Sequence, residues 1–305
     1  FCGGVGGARM AAGFAAALPA ADLRILVNVG DDFRFCGLAI SPDLDTVMYT
    51  LAGLNDEQRG WGLREESWRA SRRTAELGGP AWFQLGDQDL GTHLTRTALL
   101  EEGLALGEVT RRLCGALKVV SALIPVTDAP LRTRVRTVDG LLDFQDYFVR
   151  RRAEPMAQEI LYEGAQAATL AAAAAAALAD AQLRAVVFAP SNPVLSIEPM
   201  LAVQGMRQAL AGAKARVPVL AVSPILGGEA VKGPAAKLLR ELGHEVSAVG
   251  VARYYRDLIT HFVIDSRDAA LAPDIEALGL RVIVRSEEHT SELQSRLHLV
   301  CRLLL

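Results

Sequence analysis

Short, uninterrupted apolar runs alternate with longer stretches of helical spacing along most of the chain. The apolar runs are rich in β-branched residues, which is typical of buried strands. They cover residues 23–29, 119–125, 185–189, 217–222, 246–251, 262–264 and 280–284. Helical segments are predicted at 164–183, 200–213, 235–242 and 254–259. This alternation predicts an α/β fold with a doubly wound, mostly parallel sheet.

Two segments interrupt the alternation. Residues 46–117 contain only one short extended piece, at 82–85, and otherwise show the spacing of amphipathic helices. Residues 132–138 and 144–149 are two extended runs joined through Asp139-Gly140, which predicts a β-hairpin. We therefore expect a core formed by residues 1–50 and 118–284, with a small helical insertion at 51–117 that covers the ligand edge of the sheet.

Both ends of the chain differ from the core pattern. The sequence does not begin with Met and its glycines start already at Gly3, so we expect the first strand of the core to be truncated. Residues 285–305 read RSEEHTSELQSRLHLVCRLLL, and RSEEHTSELQS is what a common sequencing adapter encodes in frame. We interpret this segment as a non-native tail, and its His289, His298 and Cys301 are not considered as metal ligands.

Composition narrows the class of protein. Hydrophobic residues make up 51% of the chain and mean hydropathy is +0.23, which indicates a well-buried globular protein. The pI is near 6.0, and this mild acidity argues against a nucleic-acid partner. Outside the tail, Cys2, Cys36 and Cys114 show no paired spacing, which favours a reducing, cytoplasmic compartment. Residues 165–179 are nearly all alanine, which favours a helix without membrane contact over a membrane span. We also expect the chain to form a homodimer.

Four acids surround one loop near the start of the chain. Asp31 and Asp32 follow the apolar run 23–29, at the carboxyl end of a predicted strand, where open parallel sheets bind ligands. Asp43 and Asp45 follow Ser41-Pro42 in what we interpret as the first turn of a helix. Carboxylates gathered in this way can hold a hard cation such as Mg²⁺. The alternative interpretation is a solvated turn next to a charged helix cap.

A glycine cluster lies close to this loop in sequence. Gly3, Gly4, Gly6 and Gly7 precede a predicted helix over 10–18. Glycines before a helix allow backbone amides to approach a phosphate. The cluster is neither a Walker P-loop nor a GxGxxG motif, and glycine-rich turns are common, so the signal is weak on its own.

Two later strands end in similar polar turns. Ser191, Asn192 and Ser196 follow the run 185–189, and Ser223 follows the run 217–222, with Lys232 a little further on. Hydroxyls, an amide and backbone N–H groups at one sheet edge suit a phosphate or nucleoside. The alternative is that these are ordinary βα turns, in which Ser, Asn and Pro are frequent.

An acidic and aromatic segment, WFQLGDQD, lies within the predicted insertion. Trp82 could stack on a flat ligand, and Gln84 could pair with the polar edge of a ring. Aromatic residues are nevertheless more often part of a core. His93 and Arg96 lie one helical turn apart, and the general expectation for a single histidine there is a structural role.

These motifs together resemble the 2-phospho-L-lactate transferase (CofD-like) family of coenzyme F-420 biosynthesis. The resemblance runs from Gly3 to about Asp268 and includes GGVGGA, NVGDD, ISPDLDTVMYTLAG, LGDQDLGTH, FQDYFV, APSNPVLSI, VSPILGG and KGPA. It implies a Rossmann-like sheet with a small helical insertion. It also implies the transfer of a phospholactyl, phosphoenolpyruvyl or phosphoglyceryl group from a guanosine diphosphate conjugate to the alcohol of a deazaflavin, with Mg²⁺ as cofactor and release of GMP.

The resemblance also suggests roles for particular residues. Asp31 and Asp45 are candidates for metal binding and catalysis, since they lie nearest the strand end and the first helical turn. Asp45 and Gln84, with Trp82 alongside, are implicated in holding the deazaflavin. The glycines together with Ser191, Asn192, Ser196, Ser223 and Lys232 are the candidates for the donor site.

Two other classes of protein remain open from the sequence. A nucleotide-sugar-binding regulator without transferase activity would not need Asp45 beside Asp31. A dinucleotide-dependent oxidoreductase would need an acid about 20 residues after the glycines, and Asp31 lies at roughly that distance. The identity of the transferred three-carbon acid is not determined by the sequence.

Overall fold

The computed structural model describes residues 1–230 and 233–285. Lys232 and residues 286–305 of the predicted tail lie outside this part, whereas Arg285 closes the last strand. None of the helices described there is long and apolar enough to cross a membrane.

The described chain is a mixed α/β structure. Its strands are β1 Arg24–Val27, β2 Phe33–Phe35, β3 Leu38–Ile40, β4 Ala122–Pro125, β5 Arg132–Thr137, β6 Gly140–Asp143, β7 Ala157–Glu163, β8 Val186–Phe188, β9 Val219–Val222, β10 Ile225–Leu226, β11 Glu229–Ala230, β12 His261–Asp265 and β13 Arg281–Arg285. Its helices are α1 Gly4–Ala17, α2 Pro42–Leu51, α3 Arg69–Glu76, α4 Asp87–Glu101, α5 Leu106–Ala116, α6 Ala172–Ala179, α7 Glu198–Ala202, α8 Met206–Lys214, α9 Ala235–Glu241, α10 Ala248–Tyr255 and α11 Ala272–Glu276.

The main layer is parallel. Strands β13, β12, β9 and β8 form a four-stranded parallel sheet in that order, and β1 pairs in parallel with β4. Phe1 and Cys2 join the two parts, because Phe1 hydrogen-bonds to Val187 and Ala189 while Cys2 hydrogen-bonds to Leu26 and Asn28. The strand order therefore reverses at Phe1–Cys2, between β1 and β8. Reversal points of this kind are where parallel sheets bind ligands at the carboxyl ends of their strands.

Smaller antiparallel sheets surround this layer. Strands β6, β5 and β7 form a three-stranded sheet, and β2 pairs with β3 in a short hairpin. The hairpin brings the chain from Asp32 back to Ser41, so the two acidic pairs of the sequence come from opposite ends of one compact loop. The sequence pattern did not predict this hairpin.

The predicted β-hairpin forms, but with a different second strand. Strand β6 spans Gly140–Asp143, and Gly140 takes a φ of 111° after the turn, so pairing begins at the glycine. The predicted strand 144–149 is wrong. Phe144 and Tyr147 are both buried and lie three residues apart, which is helical spacing, and residues Asp146–Arg150 form a wide helical turn.

Other differences concern apolar runs of ambiguous period. The predicted strand 246–251 is wrong, because α10 begins at Ala248, with the Ser247 hydroxyl accepting the N–H of Gly250 as an N-cap. This helix is buried on most sides, so its apolar run lacks an amphipathic period.

Three further elements differ from the prediction. Residues 82–85 form no strand. Helix α6 is shorter than predicted, and α1 begins at Gly4, so Gly4, Gly6 and Gly7 lie in its first turn and Gly3 is its N-cap.

Candidate functional site

A cavity of about 1020 Å³ opens at the carboxyl edge of the parallel sheet. Its walls come from the start of α1, the ends of β1, β8, β9 and β12, the first turns of α2 and α4, and the loops on either side of α3. The predicted site residues on its wall are Gly3, Gly4, Gly6, Asp31, Asp45, Trp82, Gln84, Ser191, Asn192, Ser196 and Ser223. The structure thus brings nearly all of the predicted residues to one cavity.

The glycines are required by close packing. A Cβ atom on Gly3 would collide with the Asp43 carboxylate and lie 2.8 Å from the Ser196 Cβ. One on Gly6 would lie 2.9 Å from the carbonyl oxygen of Pro190. Gly7 does not line the cavity; a Cβ there would lie 2.8 Å from the Ser191 hydroxyl. The glycine cluster therefore seats the start of α1 directly against the turn after β8.

Asn28 joins two carboxylates at the end of β1. Its side-chain nitrogen donates to Asp31 at 2.8 Å and to Asp43 at 3.0 Å, and its oxygen accepts the N–H of Gly30 at 2.8 Å. Burial, and then the charges of Asp43 and Asp32, raise the pKa of Asp31 well above its ordinary value. Burial raises the pKa of Asp43 to about 6, although hydrogen bonds from Asn28 and Gly4 act in the opposite direction. A cation bound between the two carboxylates would relieve this cost.

Asp32 lies beside this pair. The Ser41 hydroxyl donates to Asp32 Oδ2 at 2.8 Å and does not cap α2, although Ser41 stands at the predicted N-cap position. The other oxygen of Asp32 is buried without a hydrogen-bond partner in the described part of the chain. The acids of this loop therefore form a hydrogen-bonded, largely buried cluster, and the interpretation as a solvated turn does not describe it.

Asp45 lies in a second group. Both of its oxygens accept hydrogen bonds from the Arg96 guanidinium, with Nη1 at 3.0 Å from Oδ2. His93 Nδ1 lies 3.7 Å from Asp45 Oδ2, and His93 Nε2 lies 3.2 Å from Asp89 Oδ2. The Tyr49 hydroxyl donates to Asp89 at 2.6 Å. All five side chains are buried.

Three residues of this second group lie close enough together to bind one metal ion. One such atom from each of Asp45, Asp89 and His93 lies within 4.8 Å of the others. Arg96 already offsets the charge of Asp45, however, and the group includes an imidazole. The pair Asp31 and Asp43 offers only carboxylate oxygens and faces the glycine turn, which fits a hard cation with phosphate co-ligands better.

Several polar side chains in the turns after β8 and β9 already have hydrogen-bond partners within the protein. The Ser191 hydroxyl donates to the carbonyl of Gly3 at 2.8 Å, and the Ser223 hydroxyl donates to the carbonyl of Ile225 at 2.8 Å. Asn192 Oδ1 accepts the N–H groups of Val194 and Leu195. In the part of the chain that the structure describes, the amide nitrogen of Asn192 and the hydroxyl of Ser196 make no hydrogen bond. These two side-chain groups are therefore free to donate to a ligand on this wall.

Another part of the cavity wall is aromatic. Trp82 and Phe83 pack edge-on or tilted against Phe33 and Phe35 of β2, with ring centroids 4.9–6.3 Å apart. Trp82 is thus both a packed residue and a cavity residue, while Gln84 next to it is exposed. Such a wall suits a flat ring with one polar edge.

Several residues of the site were not assigned from the sequence. Asn28 had a signal, because it is a polar residue at the end of an apolar strand. Asp43 was recognised as acidic but not paired with Asp31. The Asp45–Arg96 pair joins residues 51 positions apart, and neither the spacing nor the composition indicated it.

Comparison with known proteins agrees with these motifs. The family model described as 2-phospho-L-lactate transferase CofD matches residues 1–289. A phosphoenolpyruvate transferase of Streptomyces griseus is 42% identical over 285 residues, which cover 92% of this chain and 88% of that protein. A 2-phospho-L-lactate transferase of Methanosarcina mazei is 35% identical over 298 residues, which cover 96% of each.

The fold also has a counterpart among solved structures. The crystal structure of a UPF0052 family protein from Bacillus halodurans aligns with a TM-score of 0.61 over 93% of this chain and 90% of that one. At 12% identity this likeness concerns the fold alone. The sequence matches carry the assignment of family: the chain belongs to the CofD family of 2-phospho-L-lactate transferases.

Proposed function

We propose that this protein transfers a phospholactyl or phosphoenolpyruvyl group from a guanosine diphosphate conjugate to the primary alcohol of a deazaflavin, in coenzyme F-420 biosynthesis. In this reaction the alcohol oxygen forms a bond to the phosphorus that carries the three-carbon acid. The bond from that phosphorus to the bridging oxygen breaks, GMP leaves with that oxygen, and the alcohol proton is released.

The observation that carries this proposal is the composition of a single cavity. One wall holds the glycine turn and the free donors of Asn192 and Ser196, which suit a nucleotide diphosphate. The other holds Trp82 and Gln84, which suit a flat acceptor. The carboxylates of Asp31, Asp43 and Asp45 line the same cavity, in which the acceptor oxygen and the donor phosphorus have to meet within about 3–3.5 Å. The reversal of strand order at Phe1–Cys2 supports a Rossmann-like sheet beneath this cavity.

We further infer that Mg²⁺ is the cofactor and that Asp31 and Asp43 hold it. Two buried carboxylates on one amide, with raised pKa values, fit a divalent cation. When bound there, the ion would offset diphosphate charge and act as a Lewis acid. This differs from the pair Asp31 and Asp45 expected from the sequence, because Arg96 occupies both oxygens of Asp45.

Asp45 then has a role on the acceptor side. Its carboxylate lines the cavity and can accept a hydrogen bond from the attacking hydroxyl, which orients the oxygen toward the phosphorus. Phosphoryl transfer depends mainly on such positioning and on charge neutralisation. The proposed homodimer is not needed for this arrangement and stays a prediction.

The test is product analysis by mass spectrometry. The protein is incubated with Mg²⁺, the deazaflavin and, separately, the lactyl, enolpyruvyl and glyceryl guanosine diphosphate conjugates. We expect the mass of the coupled product and of GMP with at least one of them. Binding of a conjugate without any product would instead support the nucleotide-sugar-binding regulator.

A further inference from the structure

We propose that Arg96 is a positioning residue which, supported by His93, Asp89 and Tyr49, holds the Asp45 carboxylate as a fixed acceptor for a substrate hydroxyl and keeps it out of the metal site. This inference rests on the proposed function, since the hydroxyl is that of the acceptor. It concerns side chains that take no part in the bonds formed and broken during transfer.

The first step is the geometry of the ion pair. Two guanidinium nitrogens of Arg96 bind the two oxygens of Asp45, and Arg96 is only 1% exposed. A two-point contact of this kind fixes the plane of the carboxylate as well as its position. Arg96 does not line the cavity, whereas Asp45 does. A ligand therefore meets the carboxylate from the cavity side while Arg96 holds it from behind.

The second step is what holds Arg96. Its Nη1 lies 3.2 Å from His93 Nδ1, and because a guanidinium can only donate, His93 Nδ1 must accept this hydrogen bond. The ring proton is then on Nε2, which lies 3.2 Å from Asp89 Oδ2 in a close polar contact and not in an aligned hydrogen bond. The Tyr49 hydroxyl donates to the other oxygen of Asp89 at 2.6 Å. The network thus begins and ends on α2, at Tyr49 and Asp45.

The third step is that two helix faces supply the whole network. Asp45 and Tyr49 are four residues apart on α2. On α4, Asp89 and His93 are four apart and Arg96 follows three later, so all three lie on one face. The network therefore locks α4 against α2 and transmits any displacement of α4 to the Asp45 carboxylate.

The consequence for metal binding follows from charge. The Asp45–Arg96 pair is neutral as a unit, so it contributes little attraction for a cation compared with the unneutralised pair Asp31 and Asp43. The lone pairs of Asp45 that remain face the cavity and can still accept a hydroxyl O–H. The two aspartates of the DLD motif thus have different roles: Asp43 binds the metal, and Asp45 accepts a hydrogen bond from the acceptor hydroxyl.

A double-mutant cycle tests this division. Arg96→Lys keeps the charge but removes the two-point contact, and we expect kcat/KM for the acceptor to fall at least about tenfold. Mn²⁺ affinity, measured with the metal alone, and GDP affinity should change by less than about twofold. In an Asp45→Asn background the same Arg96→Lys change should cost less than about twofold, because its target is gone.

Two outcomes of the cycle would overturn the proposal. If the losses from Arg96→Lys and Asp45→Asn multiply, Arg96 acts independently of Asp45. If Asp45→Asn alone weakens Mn²⁺ binding about tenfold or more, Asp45 is a metal ligand.

Tyr49→Phe tests whether the Tyr49–Asp89 hydrogen bond supports Arg96, and it leaves both partners of the Asp45–Arg96 ion pair in place. It removes only the hydroxyl that binds Asp89, and Tyr162→Phe is a matched control because the Tyr162 hydroxyl donates to the carbonyl of Val194 at 2.7 Å, outside the network. We expect acceptor kcat/KM to fall at least about threefold for Tyr49→Phe and to be unchanged for Tyr162→Phe. Equal effects in the two variants would remove Tyr49 and Asp89 from the proposal.

Failure of the proposed function would be recognised separately. If the unaltered protein gave no product with any donor, the transferase proposal would fail. The cycle would then be measured on the dissociation constant of the deazaflavin by calorimetry, which needs no turnover. Multiplying losses in that measurement would overturn the role of Arg96, and non-additive losses would support it.

Discussion

The backbone N–H of Gly4 donates to the Asp43 carboxylate at 2.6 Å. This single hydrogen bond ties the first turn of α1 to the first turn of α2, and so joins the glycine cluster to the acidic loop. Gly4 can take the required φ of +64° without strain because it has no side chain. The orientation of Asp43, the proposed metal ligand, therefore depends on the glycines as well as on its own helix.

The first prediction concerns Gly3. In Gly3→Ala the new Cβ would collide with Asp43 and press on Ser196, so we expect transfer activity to fall at least about tenfold. Gly212→Ala is the control: it makes the same chemical change in α8, where the added Cβ meets open space. The control should keep full activity and gain about 0.5–1 kcal/mol of stability. Equal activity in both variants would show that the close approach at Gly3 is unnecessary.

The second prediction separates the acids. Asp31→Asn and Asp43→Asn should each weaken Mn²⁺ binding and lower transfer at least about tenfold, since each removes a charge that balances the cation. Asp45→Asn should lower transfer by a similar factor but leave Mn²⁺ binding intact. Asp257→Asn, whose side chain is 90% exposed, serves as the control for loss of an acidic charge. Normal Mn²⁺ affinity in both Asp31→Asn and Asp43→Asn would place the ion elsewhere.

The third prediction is a dependence of stability on pH. The pKa of Asp43 in the folded protein, about 6, lies above its ordinary 3.8, and that of Asp31 is raised in the same direction. A raised pKa means that the stabilising contribution is present below about pH 4 and is lost as the pH rises through about 6.

The measurement compares thermal unfolding of the unaltered protein with that of Asp43→Asn, both without divalent metal. The unaltered protein should lose at least about 2 °C relative to the variant between pH 4 and pH 7. Mg²⁺ should restore this loss only above about pH 6, where the carboxylates are ionised. A difference that stays constant with pH would show that the acids are not coupled to folding.

The sheet strands were largely predictable because their signal is local. Four of the predicted strands, at 23–29, 119–125, 185–189 and 217–222, contain β1, β4, β8 and β9, and the run 280–284 covers all of β13 except Arg285. The run 262–264 likewise marks β12. The run 246–251 failed because a short helix that is buried on most sides has no polar face to reveal its period.

The site was predictable only in part. Residues that follow apolar strands, such as Asp31, Asn192 and Ser223, could be placed at the ligand edge from the strand pattern alone. The Asp45–Arg96 pair could not be predicted, because it depends on how the tertiary fold places α4 relative to α2. Likewise, the sequence does not reveal that the Ser223 hydroxyl is already bound to Ile225.

The fourth prediction concerns the donor wall. Asn192→Asp keeps the oxygen that caps the turn at Val194 and Leu195 but replaces the free amide nitrogen with a negatively charged oxygen. If the nitrogen contacts the guanosine diphosphate part, GDP affinity should weaken by about 1–3 kcal/mol. Asn192→Ala should weaken it as well, and Ser223→Ala less, since that hydroxyl is used locally. Calorimetry with GDP measures all three, and unchanged affinity in both Asn192 variants would contradict the placement.

The last prediction concerns the acceptor wall. Gln84 is exposed on the cavity beside Trp82, so its amide can pair with the polar edge of the deazaflavin ring while the aromatic side chains cover its face. Gln84→Leu should therefore raise KM for the deazaflavin by about 5- to 10-fold, since one to two hydrogen bonds are lost, and leave GDP affinity unchanged. Gln182→Leu makes the same exchange at an exposed position away from the cavity and should change neither quantity. A fall in GDP affinity with an unchanged KM would assign the loop before α4 to the donor, and the division of the cavity into donor and acceptor walls would then be reversed.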